Sequence, residues 1–304
     1  MNMSFRGKPK AQKKESGEQG STIGSRDNRW LKRFRAGLAG DEGDDGVVGV
    51  EGVRLVEAAL GSGLAVEALL VSATGERNLK RLSGVLPPDV PIFRTTDRLF
   101  AGIADTRTPQ GVAALVRPKS VKVEDLVRGA ALVVVLVGVQ DPGNVGTILR
   151  AAEAFGATGA ATCSAGGVGT ANPLASKALR ASAGSALRLP IVHGMSCAIL
   201  LTQLRVSGVK LYAGVPDGQA QLGGKSGSIP PVVRPWEADW KSAVALLIGN
   251  EGAGLDEEIV RSCDARVSIP QRDSAKTSGV ESLNAAMAGS VLLYEAMRQR
   301  DGVA

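Results

Sequence analysis

Three segments in the second half of the chain place polar side chains directly beside glycines. They read QDPGNVGTILRAAEAFGA (140–157), LLIGNEGAGL (246–255) and SIPQRDSAKTSGVESLNAAMAGSVLLYEAMRQR (268–300). Amide, hydroxyl, carboxylate and guanidinium groups can hold a substrate in line and stabilise charge that develops during group transfer. Glycine lets a ligand or a neighbouring backbone approach closely. These residue types indicate a reactive or binding site, provided that the fold brings the three segments together.

The elements around these segments indicate how they could meet. Six apolar segments of strand length alternate with helical segments: 131–139, 159–162, 188–192, 210–215, 243–249 and 265–270. Strands that are apolar throughout are buried on both faces, and their alternation with helices predicts a parallel sheet. Ligands bind beyond the carboxyl ends of such strands. We therefore expect the polar segments to share one edge of an α/β domain.

Two helices carry most of the candidate side chains. In the first, Asn144 suits the N-cap, and the predicted buried stripe is Val145, Ile148, Leu149, Ala152 and Phe155. Arg150 lies off this stripe, and taken alone an ordinary surface ion pair with Glu153 would explain it. In the last helix, Ser282 and Asn284 stand at the start. The predicted inner face of that helix is Leu283, Met287, Ser290, Tyr294 and Met297.

The first half of the chain has the pattern of a smaller α/β unit. Its signals are an apolar helical face (Val53, Val56, Leu60, Leu64) and short strands at 68–71, near Ile92 and at 112–116. A polar stretch separates it from the regular alternation that follows. We therefore predict a basic disordered arm at 1–28, a small domain at 29–117, a linker at 118–128 and the larger domain at 129–304.

The composition limits the classes of protein to which this chain can belong. No apolar stretch approaches the roughly 20 residues that cross a bilayer, and the first residues lack the apolar centre of a secretion signal, so a cytoplasmic protein is expected. The three cysteines (Cys163, Cys197, Cys263) have no metal-binding or disulfide spacing. Glycines after the first parallel strand do not have the G-x-G-x-x-G spacing of a nicotinamide site. We expect neither a metal nor a nicotinamide cofactor.

The positive charge of the chain is concentrated at its beginning. The net charge is +6, but residues 1–35 hold ten Lys and Arg against three acids, and the remainder holds 26 basic and 27 acidic residues. The first residues are mostly Lys, Gly, Ser, Gln and Glu, a composition typical of disorder. Such an arm would bind a polyanion without sequence preference, although a solvated tail without a partner has the same composition.

Taken together and in order, the segments NVGTILRAAEAFGA, LLIGNEGAGL and IPQ…ESLNAAMAGSVLLYE resemble the three motifs of the SpoU/TrmH family of RNA ribose 2′-O-methyltransferases, within the SPOUT superfamily. NPLASKALRASAGSALRLPIV (172–192) is similar to that family's segment between the first two motifs. VEGVRLVEAAL and TRTPQGVAALV resemble the ends of the substrate-binding domain that often precedes it. The resemblance implies a C-terminal trefoil knot and a homodimer with active sites at the subunit interface.

The resemblance also implies a cofactor and a set of site residues. Main-chain groups around Gly249, Ile269 and Leu283 would hold S-adenosylmethionine (AdoMet). The polar set around the reacting groups would be Asn144, Arg150, Glu251, Ser282 and Asn284. A guanidinium is a poor base, so we expect Arg150 to anchor a phosphate and stabilise the developing alkoxide. Glu251 is expected to orient Asn144 or Arg150.

The third segment departs from the family pattern. Gln271 stands where the family usually has methionine, and eleven residues, 271–281, lie between the proline and the S-L-N motif, which makes the loop longer than usual. Ribosomal RNA of the 23S type is the expected substrate, because the family's tRNA enzymes often lack the extra domain. A tRNA methyltransferase, an antibiotic-resistance enzyme and a non-catalytic RNA-binding or ribosome-assembly protein are alternatives.

Overall fold

The computed structural model describes residues 21–40, 46–164, 167, 169–217, 229–272 and 282–302. The first domain contains β1 (Thr22–Ile23), α1 (Arg29–Ala39), β2 (Val48–Glu51), α2 (Val53–Gly61), β3 (Ala65–Ser72), α3 (Glu76–Leu82), β4 (Ile92–Thr95), α4 (Asp97–Ala101) and β5 (Val112–Arg117). Its five-stranded mixed sheet has the order β1-β4-β3-β5-β2. Leu31, Phe34 and Leu38 of α1 cover one face, while α2 and α3 cover the other.

The second domain contains α5 (Val123–Leu126), β6 (Leu132–Val137), α6 (Pro142–Ala154), β7 (Gly159–Ser164), α7 (Ser176–Ala181), α8 (Ser185–Arg188), β8 (Ile191–Ser196), α9 (Cys197–Val206), β9 (Lys210–Val215), β10 (Val232–Val233), β11 (Val244–Ile248), α10 (Glu257–Arg261), β12 (Ala265–Ser268) and α11 (Ala285–Arg300). The seven strands have the order β10-β12-β9-β11-β6-β7-β8, and every pairing is parallel.

Burial of both faces explains the continuous apolar strands. In β6, Leu132, Val134 and Leu136 point into the layer that contains α6 and α11. Val133, Val135 and Val137 point into the layer that contains α5 and α9. The predicted parallel sheet is therefore confirmed, with each of the six predicted strands observed near its predicted position. The third begins later, at Ile191, because Ser185–Arg188 is helical.

Two predicted domain edges differ from the structure. Thr22 and Ile23 pair with β4, and Ile23 is buried in the first core, so ordered chain begins before residue 29. Residues 1–20 of the predicted arm lie outside the described residues. The predicted linker 118–128 contains α5, whose Val123 and Leu126 are buried against the second sheet. Hydrophobic contact therefore extends the second domain into this polar stretch, which its charged residues had led us to predict as a linker.

The two domains contact each other through short helices. α2 packs against α8, and α7 packs against β2. The Asp105 carboxylate in the loop before β5 forms an ion pair of 2.7 Å with Arg180 of α7. Within the described chain, no helix is long and apolar enough to cross a membrane.

α7 also lies directly against α6, the helix of the first motif. A Cβ atom at Gly146 would lie 2.3 Å from the Ala178 carbonyl oxygen and 2.9 Å from the Ser182 backbone nitrogen. Both are main-chain atoms, which cannot turn aside as a side chain can. Glycine at position 146 therefore sets the distance between the two helices.

We predict that Gly146→Ala destabilises the protein, whereas Gly289→Ala has a smaller effect. At Gly289 the nearest atom to a new Cβ is the end of the Ile248 side chain, at 2.7 Å, and it can rotate. Both glycines are in helix interiors, where alanine is intrinsically favoured by about 1 kcal/mol. Overpacking costs about 1–3 kcal/mol, so urea unfolding should separate the two variants by about 2 kcal/mol. Equal midpoints would contradict the close approach of α6 and α7.

Candidate active site

An open cleft lies at the carboxyl ends of β9, β11 and β12 and beside the start of α11. Its empty volume, including space open to solvent, is about 780 Å³. The lining comprises strand-end backbone, small residues and few polar side chains: Gly214, Val215, Pro216, Asp217, Ile248, Gly249, Asn250, Glu251, Gly252, Gly254, Val267, Ile269, Gln271, Ser282, Leu283, Ala285, Ala288, Gly289 and Leu292. The edge predicted from the parallel sheet is therefore where this cleft forms.

Five of the predicted site residues line this cleft. Of the residues expected to hold a cofactor, Gly249 directly follows β11, Ile269 directly follows β12 and Leu283 lies just before α11. Glu251 and Ser282, from the expected polar set, line it as well. Residues 273–281, most of the lengthened loop of the third motif, lie outside the described residues. The structure thus brings together side chains that are up to 34 positions apart in the sequence.

Gly249 is required by the turn that follows it. A Cβ atom there would lie 2.4 Å from the carbonyl carbon of Gly254. Asn250 and Gly254 exchange two backbone hydrogen bonds of 3.0 Å, which fold the segment back on itself. Our expectation linked this glycine to approach by a cofactor, whereas the closest backbone approach is internal to the chain.

Asn250 is a site residue that the sequence analysis missed. Its side-chain oxygen accepts bonds from the backbone N–H groups of Gly252 (2.8 Å) and Ala253 (3.0 Å). Its amide nitrogen donates to the Gly138 carbonyl at 2.9 Å, beyond the end of β6. Asn250 therefore shapes the Glu251 turn and ties it to the neighbouring strand. The sequence contained a signal for this role, since an asparagine directly before a turn often bonds to the backbone that follows it.

A chain of hydrogen bonds crosses the rim of the cleft. The Asn144 amide nitrogen donates to Glu251 Oε1 at 2.8 Å, and the Asn284 amide nitrogen donates to Asn144 Oδ1 at 3.1 Å. Asn284 in turn caps α11, because its Oδ1 accepts from the backbone of Ala286 at 2.8 Å. Of the two partners expected for Glu251, Asn144 is the one it contacts. One residue from each of the three motifs takes part.

The Glu251 carboxylate is held in its charged form. Partial burial raises its pKa, but hydrogen bonds from Asn144 and from the backbone N–H groups of Gln140 and Asp141 outweigh that effect, so the net pKa is lowered. A group with a lowered pKa contributes stability above its ordinary pKa and loses it as the pH falls through the lowered value. At neutral pH, Glu251 is therefore a hydrogen-bond acceptor.

Asp141, and not Asn144, is the N-cap of α6. Its Oδ1 accepts from the Gly143 backbone N–H at 3.0 Å and forms an ion pair of 2.6 Å with Lys177 of α7. Both bonds lower the pKa of Asp141, and the bond from Lys177 has the larger effect. The prediction that Asn144 caps the helix was wrong, because Asp141 precedes Pro142 at the first helical position. Asn144 thereby lies inside the first turn, where its amide is available to Glu251.

Arg150 is exposed and has no bonded partner among the described residues. The surface ion pair with Glu153 is not formed, because Glu153 binds Arg188 through two bonds of 2.6 and 2.7 Å. Six residues separate Arg150 from Asn144, which at 3.6 residues per turn places them on different faces of α6. Arg150 is not among the residues lining the cleft of its own chain.

The predicted inner face of the last helix was wrong. Met287 and Tyr294 are 61% and 48% exposed. The buried residues are Ala286, Gly289, Leu292, Leu293 and Ala296. The first half of the helix packs on the sheet through small residues, with Gly289 close against Ile248 and Ile148, and the second half through Leu292 and Leu293. Met287, Val291 and Tyr294 instead form an exposed apolar stripe.

Asp217 is a second residue that the sequence analysis missed. It is 8% exposed, pairs with Arg234 at 2.7 Å and accepts a long bond of 3.5 Å from the Gln271 backbone N–H. Asp217 therefore ties the end of β9 to the start of the third-motif loop. Its signal was its position just after a parallel strand.

Residues 131–294 match the SpoU rRNA Methylase family, and residues 44–114 match the MRM3-like substrate binding domain. The chain belongs to the SpoU rRNA methylase family. It is 31% identical to the Bacillus subtilis 23S rRNA guanosine 2′-O-methyltransferase RlmP over 79% of this chain and 84% of RlmP.

Two solved structures of methyltransferases resemble this fold. The SpoU methyltransferase AviRb of Streptomyces viridochromogenes superposes with a TM-score of 0.73 and 29% identity, covering 90% of this chain and 98% of AviRb. An AdoMet-bound rRNA methyltransferase of Sinorhizobium meliloti superposes with a TM-score of 0.73 and 28% identity, covering 91% and 97%. This SpoU-family chain therefore shares both of its domains with such enzymes.

We predict that Glu251→Gln keeps substantial methyl transfer, within about tenfold of wild type, because the amide oxygen still accepts from Asn144. Glu251→Ala should lose considerably more, since the Asn144 amide would lack its acceptor. Single-turnover assays would measure both, with AdoMet affinity determined by calorimetry as the control. Complete loss in Glu251→Gln with cofactor binding retained would show that the negative charge itself is needed.

Proposed function

We propose that this protein transfers a methyl group from AdoMet to a ribose 2′-hydroxyl of ribosomal RNA. The observation that carries the proposal is the hydrogen-bonded chain of Glu251, Asn144 and Asn284 at the rim of a cleft lined by the expected cofactor residues. The 23S rRNA 2′-O-methyltransferase RlmP and the AdoMet-bound Sinorhizobium meliloti enzyme support the same assignment. A cytoplasmic location accords with a ribosomal substrate.

The residues of the cleft fit AdoMet. When bound, this cofactor supplies an activated methyl group on a sulfonium cation. Asp217 and Glu251 are the charged side chains among the described residues that line the cleft, and both are acidic. Backbone edges at Gly249, Ile269 and Leu283 offer hydrogen-bonding groups without bulk. Asp217 is ion-paired with Arg234, so the negative charge available to a ligand with a positive centre is that of Glu251.

The polar residues of the site have separate roles. Asn144 is held by Glu251 and Asn284 and can orient a ribose hydroxyl. Ser282 stands at the opening of the same cleft. Arg150 would anchor an RNA phosphate and stabilise the alkoxide, because its guanidinium stays protonated and donates hydrogen bonds in a fixed fork.

Arg150 is exposed and does not line the cleft of its own chain, and this supports a homodimer. Met287, Val291 and Tyr294 form the exposed apolar stripe on α11. Tyr294 contacts Phe155, just after α6, with ring centroids 5.8 Å apart. The stripe therefore runs beside the helix that carries Arg150. We place the subunit interface on this surface, where a second copy would cover the stripe and receive Arg150. The trefoil knot implied by the resemblance stays a prediction.

We predict that Val291→Glu produces a monomer with strongly reduced methyl transfer, because a charge would be buried in the interface. Val206→Glu is the matched control, since Val206 is 85% exposed on α9, away from the stripe. Sedimentation velocity would measure the mass of both variants. A Val291→Glu protein with the same mass as the Val206→Glu protein would place the interface elsewhere or exclude a dimer.

We predict that Arg150→Lys lowers the single-turnover rate by about tenfold or more at every pH, because a lysine cannot reproduce the guanidinium fork. The ratio of the variant rate to the wild-type rate should not change with pH. Recovery of the variant at high pH would indicate base catalysis by this residue and contradict the anchoring role.

Labelled methyl transfer from AdoMet to total RNA tests the function as a whole. Alkali-resistant dinucleotides in ribosomal RNA are the expected product, since a 2′-O-methyl group blocks alkaline cleavage. Incorporation into tRNA alone would favour the tRNA alternative. Absence of incorporation into either RNA by the folded protein would favour a non-catalytic binding role and overturn the proposal.

A further inference from the structure

One edge of the small sheet carries three exposed arginines without a bonded partner among the described residues. They are Arg54 in the first turn of α2, Arg77 in the first turn of α3 and Arg107 in the loop before β5. β2 and β3 end at this edge and the antiparallel β5 begins there, as the pairings Glu51 with Ala113 and Val71 with Val112 show. The three arginines therefore belong to one side of the small domain.

Gln110 ties together the segments that carry these arginines. Its side-chain oxygen accepts from the Val53 backbone N–H at 3.0 Å, and its carbonyl accepts from the Asn78 side chain at 2.8 Å. Arg54 follows Val53 directly and Arg77 precedes Asn78 directly, while Arg107 lies three residues before Gln110.

Backbone packing holds two of these segments in direct contact. A Cβ atom at Gly75 would lie 2.0 Å from the Gly111 carbonyl oxygen. Gly111 also has a left-handed φ of 74°, which favours glycine. The loop that carries Arg107 is therefore pressed against the turn that precedes Arg77.

The carboxylates near these arginines are already bonded elsewhere: Glu57 to Arg81, Glu76 to Arg94, Asp105 to Arg180, and the buried Glu51 to the Asp105 backbone and the Thr106 hydroxyl. Within the described residues, none of the three guanidinium groups is bonded to a carboxylate, and they outnumber the two carboxylates at this end that no cation pairs with, Glu51 and Asp97. Guanidinium groups that are free of carboxylates can bind phosphate oxygens through paired hydrogen bonds.

The same loop is connected to the catalytic domain. Asp105 pairs with Arg180 of α7, and one turn earlier on that helix Lys177 pairs with Asp141, the N-cap of α6. Asn144 lies in the first turn of α6. Two ion pairs and one short helix therefore join the arginine-bearing edge to the residues at the rim of the cleft.

We propose that Arg54, Arg77 and Arg107 form a phosphate-binding surface that holds the RNA backbone beside the catalytic domain. This inference rests on the proposed function, since RNA is the polyanion that such an enzyme must bind. The surface lies on a folded part of the small domain and would bind RNA through its positive charge, in addition to any contribution from the basic first 28 residues. Binding at this surface is independent of base identity and fixes the distance from the phosphates to the cleft.

The test compares Arg54→Ala, Arg77→Ala, Arg107→Ala and the triple variant with Arg35→Ala. Arg35 is an exposed arginine, also without a bonded partner among the described residues, on α1, which covers the opposite face of the same sheet. The probe is deproteinised bacterial ribosomal RNA, and its affinity is measured between about 50 and 200 mM salt. AdoMet affinity, measured on every variant, reports whether the cleft is intact.

Each of the three substitutions should weaken RNA binding by about tenfold at low salt and reduce the slope of log affinity against log salt by about 1. The triple variant should lose about three units of slope. Arg35→Ala should match wild type, and AdoMet affinity should be unchanged throughout. A triple Arg→Lys variant should keep most of the slope, because lysine retains the charge; this separates electrostatic contact from a loss of structure.

The outcomes separate this inference from the proposed function. If wild type methylates ribosomal RNA while the triple Ala variant binds as Arg35→Ala does, the surface is overturned and the function stands. If wild type transfers no methyl group but its RNA affinity still falls in the three variants, the surface stands and the function fails. If the triple Ala variant does not fold, the three single Ala variants and the triple Arg→Lys variant test the surface instead. A triple Arg→Lys variant whose salt slope falls as much as expected for alanine would overturn the proposed surface.

Discussion

The arrangement of the site depends on one hydrogen-bonded chain, in which the Glu251 carboxylate accepts from Asn144 and Asn144 accepts from Asn284. These bonds join residues 107 and 140 positions apart in the sequence. A carboxylate that accepts several N–H groups remains charged, and the lowered pKa of Glu251 reflects that. Because Asn284 also caps α11, the same bonds that orient the polar groups fix where the last helix begins.

Close packing explains why this chain of bonds has a defined geometry. β6 and β11 are adjacent and parallel, so the loops after them emerge side by side. Asn250 then bonds to the Gly138 carbonyl across that gap, and the turn from Asn250 to Gly254 is closed over Gly249. On the other side, Gly146 allows α7 to approach α6. Glycines at both places are constraints of the fold, and their close approaches are to protein backbone.

The sequence predicted the sheet more fully than the helices. Continuous apolar strands have one interpretation in an alternating α/β chain, so all six were placed near their observed positions. The stripe on α11 was wrong because Met287 and Tyr294 have the same spacing whether they face a core or a partner, and periodicity does not distinguish the two. Asp141 was overlooked as the cap because Asn144 suits that role equally well by residue type. Asp217 was missed because its burial and its pairing with the partly exposed Arg234 depend on tertiary contacts.

The position of Arg150 is related to the exposed apolar stripe on α11. The first half of α11 buries small residues and packs closely on the sheet at Gly289, while Met287, Val291 and Tyr294 of the same helix are exposed. The exposed stripe lies beside α6, whose Arg150 is exposed, does not line the cleft of its own chain and has no carboxylate partner among the described residues. A single chain thus holds the cleft and the oriented amides, but presents its guanidinium to the outside. If Arg150 acts as proposed, a second molecule must approach that face, so the proposed homodimer and the completion of the site would be one requirement.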